Sequence, residues 1–210
     1  MRIKELLLES PPLPDDWDKA MYDERVPYKK RIEYAKLRAE QIGKGSSRVA
    51  FVIQYQGRKT VLKIALNNKG AAQNQEEADL LDDYFIRGLG NVIPIIDYDE
   101  RNSRPTWIHT EYATKISQKQ LEKYFGGYSM YEVVGALEIA KRGGRTDRYA
   151  KMLSDLEDNE NFTDFQDLIL NYTQIGAQDL TRKANWGLYK GRPVIIDLGF
   201  TDNTKHLYGF

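Results

Sequence analysis

The sequence contains no cysteine, which excludes disulfides, thiolate metal sites, iron–sulfur clusters and thiol nucleophiles together. Histidine is almost as scarce: the 2 present, His109 and His206, are too few for a histidine-built metal centre. Excess charge of either sign is missing too. Lys+Arg and Asp+Glu number 31 each, with a pI near 6.8, whereas a general nucleic-acid binder needs a basic surplus for its phosphate contacts. No apolar run approaches the length of a membrane span. The opening Met1-Arg2-Ile3-Lys4-Glu5-Leu6-Leu7-Leu8-Glu9 is too short, and too soon interrupted by Glu9, for a secretory signal. What is there is a chain of 210 residues, 41% hydrophobic and 30% charged. That is a globular composition, long enough to bury a core as one domain or one small two-lobed unit. These absences lead to the expectation of a cytoplasmic protein without membrane or nucleic-acid partners.

Patterning divides the chain. Ser10-Pro11-Pro12-Leu13-Pro14 forbids a continuing helix. A short helix capped by Asp15-Asp16 is expected through Trp17 and Met21, followed by a longer one from Tyr28 to Gln41. Residues 1–41 thus read as an N-terminal helical arm. From Ile42 the pattern turns to strands. Val49–Tyr55 and Thr60–Ala65 form a hairpin about Gln56-Gly57-Arg58-Lys59. One helix is expected over Gln73–Arg87, with Ala78, Leu81 and Phe85 along a face. A second strand pair, Val92–Tyr98 and Thr106–Tyr112, is separated by a polar turn at 99–105. Beyond Ala113 helices dominate. Capping-box patterns at Ser129–Glu132 and Thr163–Gln166 predict helices over Met130–Arg142 and Asp164–Ile175. Another helix is expected over Asp147–Leu156, and the acidic stretch Asp155–Asp167 reads as a solvated connection. A last hairpin joins Trp186–Tyr189 to Pro193–Ile196. The fold class expected is α+β.

Three places can carry chemistry. The first is Gly43-Lys44-Gly45-Ser46-Ser47-Arg48, whose glycines would let backbone amides approach phosphates; a plain turn between helix and strand is the alternative. It is not a Walker loop, because Gly45 follows Lys44 where Ser or Thr is needed. Nor is it a dinucleotide fingerprint, because a strand follows rather than a helix. The second is Lys63, alone in the apolar strand Val61-Leu62-Lys63-Ile64. It either points to solvent or reaches bound phosphates, braced by Glu76 or, preferably, Glu77 of the next helix. The third is Asp179-Leu180, Asn185 and Asp197-Leu198-Gly199. Asp197 emerges from an apolar strand, and an Asn oxygen with an Asp carboxylate makes a hard donor pair suited to Mg²⁺. Asp179 could accept a hydroxyl proton. Turn-forming Asx residues are the alternative for this set.

In this order the segments resemble the protein-kinase fold. Gly43-x-Gly45-x-x-Arg48-x-Ala50-Phe51 looks like the Gly-rich loop, with Arg48 at its third glycine position. Val61-Leu62-Lys63 resembles the Val-Ala-Ile-Lys strand, and Glu77 falls where the C-helix glutamate stands. Thr110-Glu111-Tyr112-Ala113 looks like gatekeeper and hinge. Asp179-Leu180-…-Asn185 resembles the catalytic loop, and Asp197-Leu198-Gly199 resembles Asp-Phe-Gly.

The resemblance implies a two-lobed kinase-like fold with an antiparallel-sheet N-lobe and hinge (42–113) and a reduced helical C-lobe (114–210). It implies ATP and Mg²⁺ as cofactors. Gly43, Lys44, Gly45, Ser46, Ser47 and Lys63, with the backbone of Glu111 and Ala113, would bind nucleotide; Asn185 and Asp197 would hold the metal; and Asp179, Lys63 and Glu77 would act in phosphoryl transfer. Departures are present: Ala177-Gln178 stands where His-Arg is usual, five residues rather than four separate Asp179 from Asn185, and no Ala-Pro-Glu follows Gly199. Compact bacterial and phage kinase-like proteins are therefore the nearer comparison, with the cytoplasm of an infected bacterial host as location. The implied function is an ATP-dependent phosphotransferase acting on a hydroxyl acceptor, with a protein or the chain itself among the candidates. The alternatives are a catalytically inactive kinase-like module that binds a partner protein, and a variant that transfers AMP. A dimer would compensate for the short C-terminal part.

Overall fold

The β-branched and aromatic residues that dominate Val49–Tyr55 and Thr60–Val61 favour extended backbone, and they form the centre of an antiparallel sheet. The computed structural model describes residues 13–23, 25–100, 104–172, 175–199 and 201–205. Met1–Glu9, the tip of the polar turn at 101–103 and His206 lie outside them. The strands β1 (Glu40–Lys44), β2 (Arg48–Tyr55), β3 (Arg58–Ala65), β4 (Ile95–Tyr98) and β5 (Trp107–Glu111) make one five-stranded sheet in the order β1-β2-β3-β5-β4. Every pairing in it is antiparallel. The β2–β3 turn has Gln56 at φ 49° and Gly57 at φ 75°. This is the mirror-image turn whose twist matches two antiparallel strands, and glycine meets its left-handed requirement without a Cβ penalty.

Register separates the two faces of this sheet. Val49↔Ile64, Phe51↔Leu62 and Ile53↔Thr60 lie on one face, and Arg48↔Ala65, Ala50↔Lys63 and Val52↔Val61 on the other. The first face is covered by the N-terminal segment: Leu13, Trp17, Tyr22, Ile32 and Ala35 share one buried cluster with Val49, Phe51, Ile53, Leu62, Ile64 and Trp107. Ile32 and Ala35 come from α1 (Tyr28–Lys36), one turn apart on the same side. The helix expected over Tyr28–Gln41 therefore stops at Lys36, because Glu40–Lys44 pairs with β2 instead. The second face meets α2 (Asn68–Asp82), whose Ala71, Asn74 and Ala78 are buried. The single helix expected over Gln73–Arg87 breaks at Asp83, whose carboxylate caps α3 (Tyr84–Gly88) by accepting from the amides of Phe85 and Ile86. Phe85, placed on the apolar face by a straight-helix reading, is consequently 43% exposed.

The chain divides into two compact units, the described residues up to Ala78 with Ile95–Tyr112, and Asp79–Pro94 with the described residues from Ala113 onward. The second unit is mainly helical. Its α5 (Met130–Lys141) begins at the expected Ser129–Glu132 capping box. An equivalent box at Ser117–Gln120, not anticipated, starts α4 (Gln118–Tyr124). After α6 (Ala150–Leu156) comes α7, running Glu160–Asn171 rather than from Asp164. Asn159 is the cap, accepting from the amides of Asn161 and Phe162 at 3.0 and 3.1 Å, while Thr163 Oγ1 donates back to the Asn159 carbonyl. The acidic stretch expected as a connection is thus largely helix, because it also carries Phe162 and Phe165 at spacing that buries them.

Phe125, Phe165 and Trp186 meet with ring centroids 5.5–5.8 Å apart at the centre of this unit. The strands β6 (Thr114–Lys115), β7 (Trp186–Tyr189) and β8 (Arg192–Ile195) form a small sheet. Its hairpin again turns on left-handed residues, Lys190 at φ 49° and Gly191 at φ 81°. A short helix α8 (Asp202–Lys205) follows. Among the described residues no helix is long and apolar enough to cross a membrane.

Candidate functional site

Lys63 sits where β3 is buried on both faces, and it is only 8% exposed. An ammonium in such surroundings is costly unless a counter-charge meets it. Glu77, fully buried on α2, supplies that charge: Lys63 Nζ donates to Glu77 Oε1. The same carboxylate receives a second cation, with Arg48 Nη1 donating to Glu77 Oε2 at 2.5 Å. Arg48 also donates to Asn74 Oδ1 at 3.3 Å, and Asn74 Nδ2 in turn donates to the Pro105 carbonyl at 3.1 Å. The sheet register explains the meeting, since Arg48, Ala50 and Lys63 share the face that looks onto α2.

The glycine-containing turn is tied to the same helix. Ser47 Oγ donates to Gln73 Oε1 at 2.5 Å, and the Ser47 carbonyl accepts from the Leu66 amide at 2.7 Å. Helix α2 approaches so closely that a Cβ on Gly70 would lie 2.0 Å from the Ser47 carbonyl oxygen. Of the residues expected to cradle phosphate, Gly43 and Lys44 belong to β1 and pair with Ala50 and Val49. The Gly45 amide closes the turn on the Arg48 carbonyl at 2.9 Å. Gly43 to Ser46 are exposed, whereas Ser47 is buried. Glu111 ends β5 opposite Thr60 and is ion-paired with Arg58 at 2.6 Å, so it is not joined to the Lys63 cluster.

In the helical unit Asp179, Asn185 and Asp197 come together. Asp179 lies in a short 3₁₀ turn at Ala177–Thr181, and Asn185 ends another at Lys183–Asn185. The two turns are joined by Asn185 Nδ2 donating to the Asp179 carbonyl at 2.8 Å, and by Trp186 Nε1 donating to the Leu180 carbonyl at 2.7 Å. Beyond β8, the Ile196 amide donates to the Asn185 carbonyl at 2.8 Å, which brings Asp197 to the same place. Asp197 Oδ1 accepts from the Gly199 amide at 3.3 Å, closing an Asx turn. Leu180 and Leu198 are buried and anchor the two loops. Burial pushes the Asp179 carboxyl above its ordinary range; the guanidinium of Arg182 at 3.1 Å opposes this, and the negative charge of Asp197 adds to it. Ala113, in this unit, packs where a Cβ on Gly187 would meet its own at 2.7 Å.

The donor set fits a hard divalent cation. With its amide nitrogen engaged on the Asp179 carbonyl, Asn185 has Oδ1 as the atom that would serve a cation, and Asp197 would add a carboxylate. Among the described residues no group of three or more His, Cys, Asp or Glu side chains is arranged to hold a metal. A cation here would thus take its remaining ligands from substrate oxygens and water, the usual habit of Mg²⁺.

Of the residues singled out in the sequence, Lys63 and Glu77 are joined in the sheet unit, and Asp179, Asn185 and Asp197 are gathered in the helical one. The pairing of Arg48 with Glu77 and of Arg182 with Asp179 was not anticipated. Arg182 follows Asp179 by three residues, a spacing at which one turn brings side chains together. The spacing of Gln73, Asn74 and Glu77 on α2 was a legible sign that one polar stripe faces the sheet. No known family model matches the chain, and none of the curated proteins compared with it is significantly similar in sequence.

Proposed function

We propose that the chain is an ATP- and Mg²⁺-dependent phosphotransferase of kinase-like fold, acting on a hydroxyl acceptor. The observation that carries this reading is the buried Lys63–Glu77 pair, set in an apolar strand and helix. A buried ion pair is seldom the most stable way to fill such space, because apolar residues of similar volume often do as well or better. Its retention points to chemistry that needs a held ammonium. Further support comes from the antiparallel sheet with the helices α2 and α3 between β3 and β4, and from the Asp179, Asn185 and Asp197 cluster.

In this reading the Lys63 ammonium binds phosphate oxygens of ATP, held in place by Glu77. Mg²⁺, when bound through Asn185 and Asp197, neutralises charge on the triphosphate. Asp179 orients the acceptor hydroxyl and takes its proton as the oxygen attacks the γ-phosphorus. The bond from that phosphorus to the β–γ bridging oxygen breaks and ADP leaves. Burial, which raises the Asp179 carboxyl, makes it a better proton acceptor than an exposed aspartate. Positioning and charge stabilisation are the main needs of phosphoryl transfer.

A second reading, a kinase-like module that binds a partner without turnover, is favoured by one feature. The Gly45 amide is engaged inside its own turn and is therefore not offered to a phosphate. Thermal denaturation with and without ATP and Mg²⁺ tests the first reading, on wild type beside Lys63→Ala and Asp197→Ala. A metal-dependent rise in Tm, lost in both variants, is expected, because a ligand of the folded state must stabilise it. No rise at millimolar ATP overturns the reading. Transfer of label from γ- but not α-labelled ATP then separates phosphoryl from AMP transfer.

A further inference from the structure

We propose that Arg48 is a positioning residue that clamps α2 onto the start of β2 through Glu77, so that the Lys63–Glu77 pair stands assembled before any ligand or modification acts. The clamp itself rests on geometry; its consequence for catalysis rests on the phosphotransferase reading.

Glu77 divides its carboxylate between two cations, Oε1 toward Lys63 of β3 and Oε2 toward Arg48 of β2. Each bond is charge-assisted and removed from water, with Glu77 0% and Arg48 8% exposed. The helix is held at neighbouring points as well. Gln73 takes the Ser47 hydroxyl, Asn74 bridges Arg48 to the Pro105 carbonyl, and Gly70 lies directly against the Ser47 carbonyl. A swing of α2 away from the sheet would break the bonds to Ser47, Arg48 and Lys63 at once. It would also leave a carboxylate and two cations to be rehydrated in a site closed to water, so the displaced state is scarcely populated. Because Arg48 on β2 and Lys63 on β3 hold the two oxygens of one carboxylate from two different strands, a helix movement that follows one cation draws the carboxylate from the other. The residue at the third glycine position of the Gly-rich pattern, where a kinase has no side chain at all, thus supplies the fastening.

Amide hydrogen exchange of residues 70–78, measured without nucleotide on wild type, Arg48→Gln, Arg48→Ala and Arg48→Lys, tests the clamp. Expected is exchange faster by about tenfold or more in Arg48→Gln and Arg48→Ala, with the β2–β3 hairpin amides still protected, and substantial recovery in Arg48→Lys. Unchanged exchange in α2 overturns the proposal. Equal loss of protection in the hairpin overturns it too, since Arg48 would then be a general stability residue; if Arg48→Ala does not fold, Arg48→Gln decides.

Titration with Mg·ATP supplies the second arm. Weaker binding in Arg48→Gln, restored in Arg48→Lys, supports the positioning role. Unaltered affinity in Arg48→Gln overturns that role. No Mg·ATP binding by the wild type sinks the phosphotransferase reading instead, and the clamp is then judged on exchange alone.

Discussion

Two charged clusters, one in each unit, are built on opposite principles. In the sheet unit Arg48, Lys63 and Glu77 are buried, and each is satisfied by side chains. In the helical unit Asp179, Asn185 and Asp197 are half-buried, and their links run largely through backbone: the Asp179 and Asn185 carbonyls and the Gly199 amide. Arg182, the cation beside Asp179, has a side chain 74% exposed, so that pair contributes little to stability. Ionic groups taken out of water must be matched internally, and removing one strands the others. Groups left partly in water can be changed singly, because solvent takes up the difference. The first cluster is therefore bound up with folding, and the second is open to tuning.

The contrast can be broken most directly at Glu77. Glu77→Ala leaves two buried cations without their shared carboxylate and is expected to cost about 3–5 kcal/mol, read by urea denaturation. Asp197→Ala, in a half-buried loop where solvent takes up part of the change, is expected to cost clearly less, about 1 kcal/mol. Equal costs would end the distinction. Next in size is Gly70→Ala, which pushes a Cβ against the Ser47 carbonyl and should cost about 1–3 kcal/mol. Gly135→Ala in α5, which meets only the movable Tyr149 hydroxyl at 3.3 Å, should stay within about 1 kcal/mol of wild type. Smaller again are the caps of α7. Asn159→Ala should lose about 1 kcal/mol, and Thr163→Ala clearly less, since Thr163 is inside the helix rather than at its start.

The smallest effect is a pH dependence. Asp179 has its carboxyl raised above the ordinary 3.8, chiefly by burial, so the folded state holds the proton more tightly than the unfolded chain. Its contribution to stability is full below that ordinary value and is lost as pH rises through the folded-state value. Asp179→Asn removes this dependence. Relative to wild type, the variant should therefore gain stability from acid to neutral pH, as seen in denaturation midpoints across that range. An opposite slope would show that Arg182 outweighs burial.

Much of this was legible in the chain. Alternation and the Gln56-Gly57 and Lys190-Gly191 turns marked both hairpins, because a two-residue turn with positive φ is a local requirement. The Ser129 capping box marked the start of α5 for the same reason. Thr163-x-x-Gln166 is an equally good box by residue type, yet Asn159 starts α7, and the helix so gained buries Phe162. Local signals of similar strength were decided by which choice fills the core. Glu40 and Gln41 illustrate the same point: read as the end of a helix, they became strand because the edge of β2 offered them a partner.

By itself, then, the sequence determined most of the element types, the turn geometry, the exclusion of thiol chemistry and of a histidine-built metal centre, and the lysine, glutamate, aspartate and asparagine that carry the functional reading. Each follows from residue type or from spacing within one element. Only the tertiary structure decided that the proline-bearing N-terminal segment covers one face of the sheet, and that Arg48 and Lys63 close on one carboxylate. Both depend on register between strands and on how closely a helix seats on a turn. A one-residue slip in β2 would turn Arg48 to the other face, and local sequence carries too little information to exclude that before the strands have paired.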